Sequence, residues 1–279
     1  MFETVRNAFK IKDLRKKILY TFFALIVVRI GCQLPVPGVD ASVITDFFDS
    51  QKSLDFFNQL TGGSFSTMSI FALNITPYIT ASIIIQLLTI AIPKLEELHK
   101  DGEEGRKKLA EYTRYLTIAL SVIESAAMAI GFGQQGYLTD GVTFVAVFVV
   151  SLTAGSAFLM WLGEQITEKG VGNGISIILL YNIVSRMPED MMNLFEKFVK
   201  GASNVTNGTI AAVVILAVII GMVIFIVVLS DGERRISVQY SKKTQGRKMV
   251  GGQSSHIPLK VNTAGVIPVI FAGSLFSMP

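Results

Sequence analysis

TIAAVVILAVIIGMVIFIVVL, residues 209–229, carries no charged side chain and no proline. At about 1.5 Å of rise per residue, a helix of that length crosses a hydrocarbon core of roughly 30 Å. VTFVAVFVVSLTAGSAFLMWLG, residues 142–163, is a second run of the same kind. The same length test, carried outward, places further spans near 18–34, 74–92, 114–132, 174–187 and 263–279. The fifth span in chain order, ISIILLYNIVSRM, is short, and the seventh, AGVIPVIFAGSLFSM, stops at Pro279 with little room to cross. Composition agrees with this reading. The chain is 51% hydrophobic and only 16% charged, against about 25% charged in a soluble domain, and its mean hydropathy is +0.53. The sequence therefore predicts an all-α, polytopic helical membrane protein.

Lys and Arg set the orientation, because short loops rich in them resist translocation. Segments 1–17, 93–114, 164–173 and 230–262 together hold 20 of the 25 basic residues. The alternate loops hold Lys52, Arg186, Lys197 and Lys200, and Arg29 falls inside the first span. The pattern predicts a cytoplasmic amino terminus. The start, with its basic stretch KIKDLRKK at 10–17, does not read as a cleavable signal peptide, and the first apolar run has no A-x-A-like site after it. One cysteine, Cys32, excludes an intrachain disulfide framework. The two histidines, His99 and His256, are too few and too far apart in sequence to suggest a histidine-built metal site.

Three features depart from a plain bundle. TGGSFSTMSIFAL, 61–73, is moderately apolar yet too short to span, which fits a re-entrant or interfacial helix. The second span opens on NITPY, with Asn74 placed to cap and Pro77 in the first turn, where proline is tolerated. The short segment and the span then form two halves of one broken membrane helix. EQITEKGVGNG, 164–174, sets three glycines before the fifth span, allowing a tight turn into a helix start. Broken membrane helices are tolerated where they face protein or a water-filled cavity, so the breaks point to a pathway.

Three long blocks are similar to one family. FALNITPYITASIIIQLLT (71–89), FLMWLGEQITEKGVGNGISIIL (158–179) and GGQSSHIPLKVNTAGVIPVIFA (251–272) resemble the SecY/Sec61-alpha family of protein-conducting channel subunits, in its bacterial form. GERRISVQYSKK (232–243) resembles the tip of that family's long cytoplasmic loop. The resemblance covers essentially the whole chain and implies two inverted halves of five spans each. It sets residues 1–187 as the amino-terminal half, with a plug helix at 61–73. Residues 188–279 are then the start of the second half, with spans six and seven and the loop 230–262. The family has ten spans, and this sequence ends at or just after the seventh.

The resemblance also implies roles. Ile75 and Ile79 share one helix face by spacing, a pattern that ordinary lipid or core packing would equally produce. By resemblance they join Ile175, Leu179 and Ile270 in a pore ring, whose branched apolar side chains dewet a narrow waist and grip no passing chain. Gly62, Gly63, Ser64, Phe65 and Ser66 belong to the plug, the alternative being a static interfacial helix. Arg234, Arg235, Arg247 and Lys248 become a docking site for the motor ATPase SecA and for ribosomal RNA. Their basic charge alone is also explained by topology and anionic lipid. Gln86 is assigned to a lateral gate. SecE and SecG are implied as further subunits, and signal sequences, translocating polypeptide and membrane lipids as what the channel meets. No cofactor and no catalytic group is implied.

Arg29 and Glu124 are charges within spans, functional candidates by default. Arg29 has room to snorkel outward, and Glu124 sits where it should face protein or water. GVGNG at 170–174 lacks the strand and the Lys-Ser/Thr ending of a phosphate loop, and the NVT and NGT triplets at 204–206 and 207–209 read as incidental in a bacterial-type chain. A secondary transporter would also use broken helices, but it calls for polar residues beside the breaks, where Ile75, Ile79, Ile175 and Leu179 stand. An intramembrane hydrolase would need a catalytic constellation within the spans, and neither histidine lies in one.

Overall fold

A backbone in lipid must satisfy its own polar groups, so long apolar runs can settle only as helices. The computed structural model describes residues 10–39, 55–134, 141–200, 205–238, 243–245, 248–250, 255–262 and 272. Its helices are α1 (Lys12–Gly31), α2 (Asp55–Leu60), α3 (Thr76–Ala91), α4 (Pro93–Lys100), α5 (Glu103–Gln134), α6 (Val142–Lys169), α7 (Gly174–Phe195) and α8 (Val205–Asp231). Six of the expected spans thus coincide with helices. The seventh, 263–279, lies outside the described residues apart from Ala272.

Among the described residues, α5, α6 and the Gly208–Asp231 part of α8 are each long and apolar enough to cross a membrane alone. The others fall short for visible reasons. Helix α1 carries Arg15, Lys16, Lys17 and Arg29, α3 has 16 residues, and α7 carries Arg186, Glu189 and Asp190. Helices α3 and α4 together pass the test but diverge by 103°. The bend lies at Ile92, held extended (φ −111°, ψ 114°) between the end of α3 and Pro93 at the start of α4, because a residue before proline avoids the helical region. Helix α4 is charged, with Lys100 Nζ 2.6 Å from Glu96 Oε1 one turn earlier.

The described residues fall into two compact units that meet in sequence at Asp190 and Met191, inside α7. In the first, α6 packs on α5 and α1, and α5 packs on α3. One core cluster joins Val36, Met68 and Leu73 to Phe132 of α5 and to Phe148 and Leu152 of α6. A second joins Val28 of α1, Phe71, Ile75, Leu159 and Ile166 of α6, and Ile178 of α7. The turn from α6 to α7 is stitched by side chains. Asn173 Oδ1 accepts from the Ile175 and Ser176 N–H groups at 3.1 and 3.3 Å, and Thr167 Oγ1 accepts from Gly174 N–H at 2.8 Å. The Val171 N–H donates to Thr21 Oγ1 of α1 at 3.2 Å. Gly174 has to be glycine, since a Cβ there would lie 2.1 Å from the Gly163 carbonyl oxygen.

Residues 61–73 correct the expectation of a helix: they run as successive turns and one isolated bridge. The helical turn lies just before them, in α2. Gly62 (φ 66°), Gly63 (φ 87°) and Met68 (φ 43°) adopt left-handed backbone. Hydroxyls also compete for the carbonyls a helix would need. Ser64 Oγ donates to Thr61 O at 2.7 Å and Ser66 Oγ to Gly63 O at 3.0 Å. A short bridge ties the segment to the chain after α1, with Val36 N–H on Met68 O and Ile70 N–H on Leu34 O, both 2.9 Å.

In the second unit, α8 packs on a π-helical turn, Glu196–Lys200. None of its apolar window is buried within the structure, and a helix apolar on every side must then be covered by lipid. Beyond it the chain forms strands that the sequence reading did not anticipate. Strand β1 (Glu233–Val238) pairs antiparallel with β4 (Ser255–Lys260), and β2 (Lys243–Gln245) pairs with β3 (Lys248–Val250).

Candidate functional site

Short residues create the space in which the turn segment 61–73 sits. A Cβ on Gly31 of α1 would strike the Phe71 ring at 1.9 Å, and one on Gly155 of α6 would lie 2.0 Å from the Ile70 carbonyl oxygen. On the α7 side, a Cβ on Gly62 would meet the Asn182 backbone at 3.1–3.2 Å, and one on Gly63 would meet Arg186 Nη1 at 3.0 Å. The segment is thus wedged among three helices, with its backbone against α6 and α7 and the Phe71 ring against α1. Thr61, Ser64 and Ser69 are buried, while Gly63, Phe65 and Ser66 are half-buried. The Ser64 hydroxyl lies between the Thr61 and Phe71 carbonyls, at 2.7 and 3.1 Å.

The same segment is anchored by polar side chains. Arg29 Nη1 donates to the Gly62 carbonyl at 3.2 Å and to Ser185 Oγ of α7 at 3.4 Å. Arg29 therefore turns into the protein, not outward along the span as snorkelling would have it, because acceptors stand within its reach. Asn74 does not cap the second span. Ile75 is the N-cap residue, without a side-chain cap bond. Asn74 sits instead at φ 52° and donates its amide to the Leu60 carbonyl at 3.0 Å. Asn182 of α7 in turn donates to Asn74 Oδ1 at 3.2 Å. Asn182 and Ser185 carry no helix-period or motif signal, and the sequence reading missed both.

Below this polar layer lie the aliphatic side chains. Ile75 is fully buried in the second core cluster, and Ile79 and Ile175 pack at the edge of that cluster. Pro77 occupies the first turn of α3, and the Ile79 N–H bonds the Ile75 carbonyl at 3.0 Å, which stacks the two side chains on one face. Leu179 is half-buried on α7. Ile270 lies outside the described residues. Gln86 is exposed on α3, and Glu124 is half-buried on α5. At the other end of the helices, Arg114 Nε meets Glu164 Oε1 at 2.7 Å, joining α5 to α6.

Arg234 and Arg235 are exposed on β1. Successive strand residues point to opposite faces, so the two arginines do not form one patch. Arg234 shares a face with Ile236 and, through the register, with Ile257 and Leu259. Arg235 shares the other with Glu233, Ser237, His256 and Lys260. Lys248 begins β3, and Arg247 lies outside the described residues. Among the described residues no three His, Cys, Asp or Glu side chains come together as a metal ion would require. The arrangement sets a hydrogen-bonded turn segment directly before a cluster of packed aliphatic side chains that includes Ile75, Ile79 and Ile175.

The family model for SecY matches residues 69–279. The chain is 48% identical over 288 residues to the protein translocase subunit SecY of Halalkalibacterium halodurans, covering 100% of this chain and 66% of that protein. It is 46% identical over 274 residues to the same-named subunit of Escherichia coli K12, covering 96% and 61%. It thus spans less than two thirds of the length of these relatives. Among solved structures it is similar to a SecY channel whose plug domain is described as stabilising the closed state and maintaining a membrane seal, with TM-score 0.61 and 20% identity. A structure described as that of a protein conducting channel gives TM-score 0.59, also at 20% identity. Each likeness covers 94% of this chain and 56% of the other and concerns the fold. On the match to the family model and the identity to these relatives, the chain belongs to the SecY family, and its fold is that of a polytopic helical membrane protein.

Proposed function

We propose that this chain supplies part of the wall of a protein-conducting channel in the bacterial cytoplasmic membrane, with its amino terminus in the cytoplasm. Unfolded secretory polypeptides cross through it, and membrane segments leave sideways into lipid. The observation that carries this reading is the turn segment 61–73, wedged among α1, α6 and α7 and leading directly into the fully buried Ile75. In the resting state the segment is the plug, and Ile75, Ile79, Ile175, Leu179 and Ile270 form the ring it covers. The ring offers no hydrogen-bonding group, so it excludes ions by dewetting and releases any polypeptide it passes. The work comes from outside the chain, from SecA or a translating ribosome docked on the loop 230–262. SecE and SecG complete the assembly, and Gln86 belongs to the lateral gate through which a signal sequence leaves.

A solute transporter fits less well. Polar groups do stand beside the break before α3, but they are engaged with one another and with backbone. Asn74 bonds Leu60 and Asn182, and Arg29 bonds Gly62 and Ser185. The deciding experiment places a photo-crosslinker at position 79, and another at Ile123 on the exposed face of α5, in the assembled channel carrying a stalled secretory chain. An adduct from position 79 and none from position 123 supports the reading. Adducts from 123 alone would overturn it.

A further inference from the structure

The geometry points to Asn182, Ser185 and Arg29 as a latch that holds the turn segment 61–73 in its seated position, working through Asn74 and the Gly62 carbonyl. The inference rests on the channel reading only for its consequence; the latch itself stands on contacts between α1, α7 and the segment. It has two arms. On one, the Asn182 amide donates to Asn74 Oδ1 at 3.2 Å, while Asn74 spends its own amide on the Leu60 carbonyl at 3.0 Å. Both asparagines are 2% exposed. On the other, the Arg29 guanidinium bridges the Gly62 carbonyl and the Ser185 hydroxyl, and Ser185 Oγ donates back to the Asn182 carbonyl at 2.8 Å. The arms meet on α7, one turn of helix apart, and both end at the two residues where α2 gives way to the turns.

Buried amides and a half-buried guanidinium are costly to leave without partners. Here the acceptors of Arg29 among the described residues carry no charge, and one of them is backbone of the segment itself. Unseating the segment withdraws that carbonyl from Arg29 and the Asn74 Oδ1 acceptor from Asn182 in one movement. The groups left on α1 and α7 then need water, or polar groups of another chain, in their place. The latch therefore couples departure of the segment to hydration of the space it leaves. Two separated seated and unseated states follow, in place of a gradual loosening. Asn182, Ser185 and Arg29 are positioning residues: Arg29 holds the Gly62 carbonyl directly, Asn182 acts through Asn74, and Ser185 acts through Arg29 and the Asn182 carbonyl.

The test is amide hydrogen exchange of residues 61–73 in the channel held in lipid nanodiscs, with α5 and α6 as the internal reference. Asn74→Gly deletes one side-chain amide while keeping the left-handed backbone open to it, and Asn182→Leu removes its partner at similar volume. Asn182→Leu should speed exchange within 61–73 roughly tenfold, the effect of one buried hydrogen bond lost, and Asn74→Gly by more, because it also loses the bond to the Leu60 carbonyl, with α5 and α6 unchanged in both. The double variant should exchange no faster than Asn74→Gly alone, because the Asn182 bond is already absent there. Unchanged exchange in 61–73 with Asn74→Gly overturns the latch. If Asn182→Leu loosens α5 and α6 as well, Asn74→Gly and the milder Ser185→Ala decide. Resting ion conductance of the same variants separates the two readings. Faster exchange without added leak keeps the latch and removes the segment from the seal, whereas slow exchange with a leak does the reverse.

Discussion

Asn182 reaches across 108 residues of sequence to donate its side-chain amide to Asn74, 3.2 Å away and in a buried setting. The bond joins the middle of α7 to the residue that turns the chain into α3. Asn74 is suited to both tasks. Its short polar side chain tolerates left-handed backbone, here at φ 52°, and its second polar group is satisfied by the Leu60 carbonyl.

That dual role predicts an order of stabilities. Asn74→Gly loses the side-chain bonds but keeps the backbone angle, at a cost of about 1–3 kcal/mol. Asn74→Val loses the bonds and also forces a branched residue into the left-handed region, adding roughly 1–2 kcal/mol. Unfolding of the two variants in matched detergent should rank wild type above Gly and Gly above Val. A valine variant as stable as the glycine one would refute the backbone argument.

Two glycines in neighbouring helices should respond oppositely to the same change. Gly155→Ala would bring a methyl group to 2.0 Å of the Ile70 carbonyl oxygen, so α6 and the turn segment must part, at a cost of about 1–3 kcal/mol. Gly131, on α5, has nothing within 4 Å of an added Cβ. There Ala should be neutral or stabilise by up to about 1 kcal/mol through helix propensity. Thermal unfolding of both variants checks the pair.

Much of this fold is legible in the sequence, because length and apolarity alone dictate helices in lipid. The run 209–229 and the glycine turn at 170–174 fall where they were expected. The bend between α3 and α4 is visible in retrospect at Ile92-Pro93. The turn segment was misread because its apolar content suggests a helix, whereas its outcome depends on Ser64 and Ser66 hydroxyls bonding local carbonyls and on two left-handed glycines. The ribbon in 230–262 was missed although Ile236 and Val238 alternate with Arg235 and Ser237, a period of two that the basic charge obscures. Asn182, Ser185 and the inward turn of Arg29 are long-range events. Nothing in local spacing names a partner that folding alone brings near.

The strand register gives the two arginines of β1 unequal expectations. Arg234 lies on the face with Ile236, Ile257 and Leu259, and Arg235 lies beside Glu233, Ser237, His256 and Lys260 on the other. A protein partner gains most where an arginine borders desolvated apolar surface. Arg234→Glu should weaken binding of SecA or of ribosomes to the channel roughly tenfold, and Arg235→Glu only a few-fold with a strong dependence on salt. Titration of labelled channel with either partner at two ionic strengths measures both. Equal losses would mean that the partner reads charge alone, and intact binding would remove β1 from the docking site.

The proposed seal is best tested at Ile79 and not at Ile75. Ile75 is fully buried in a core cluster shared with Val28, Leu159 and Ile178. Truncating it would cost about 2–5 kcal/mol of packing, and any leak that followed could be laid to misfolding. Ile79 is half-buried at the edge of the same cluster, so Ile79→Ala sacrifices less packing while removing one branched side chain from the aliphatic barrier and widening it. A dewetted waist conducts ions steeply more readily once it admits a continuous water column. Ile79→Ala, and more strongly Ile79→Asn, should therefore raise resting conductance of the assembled channel in planar bilayers, with unfolding midpoints close to wild type for the alanine variant. Conductance unchanged in both, with the protein folded, would place Ile79 in packing alone and take it out of the ring.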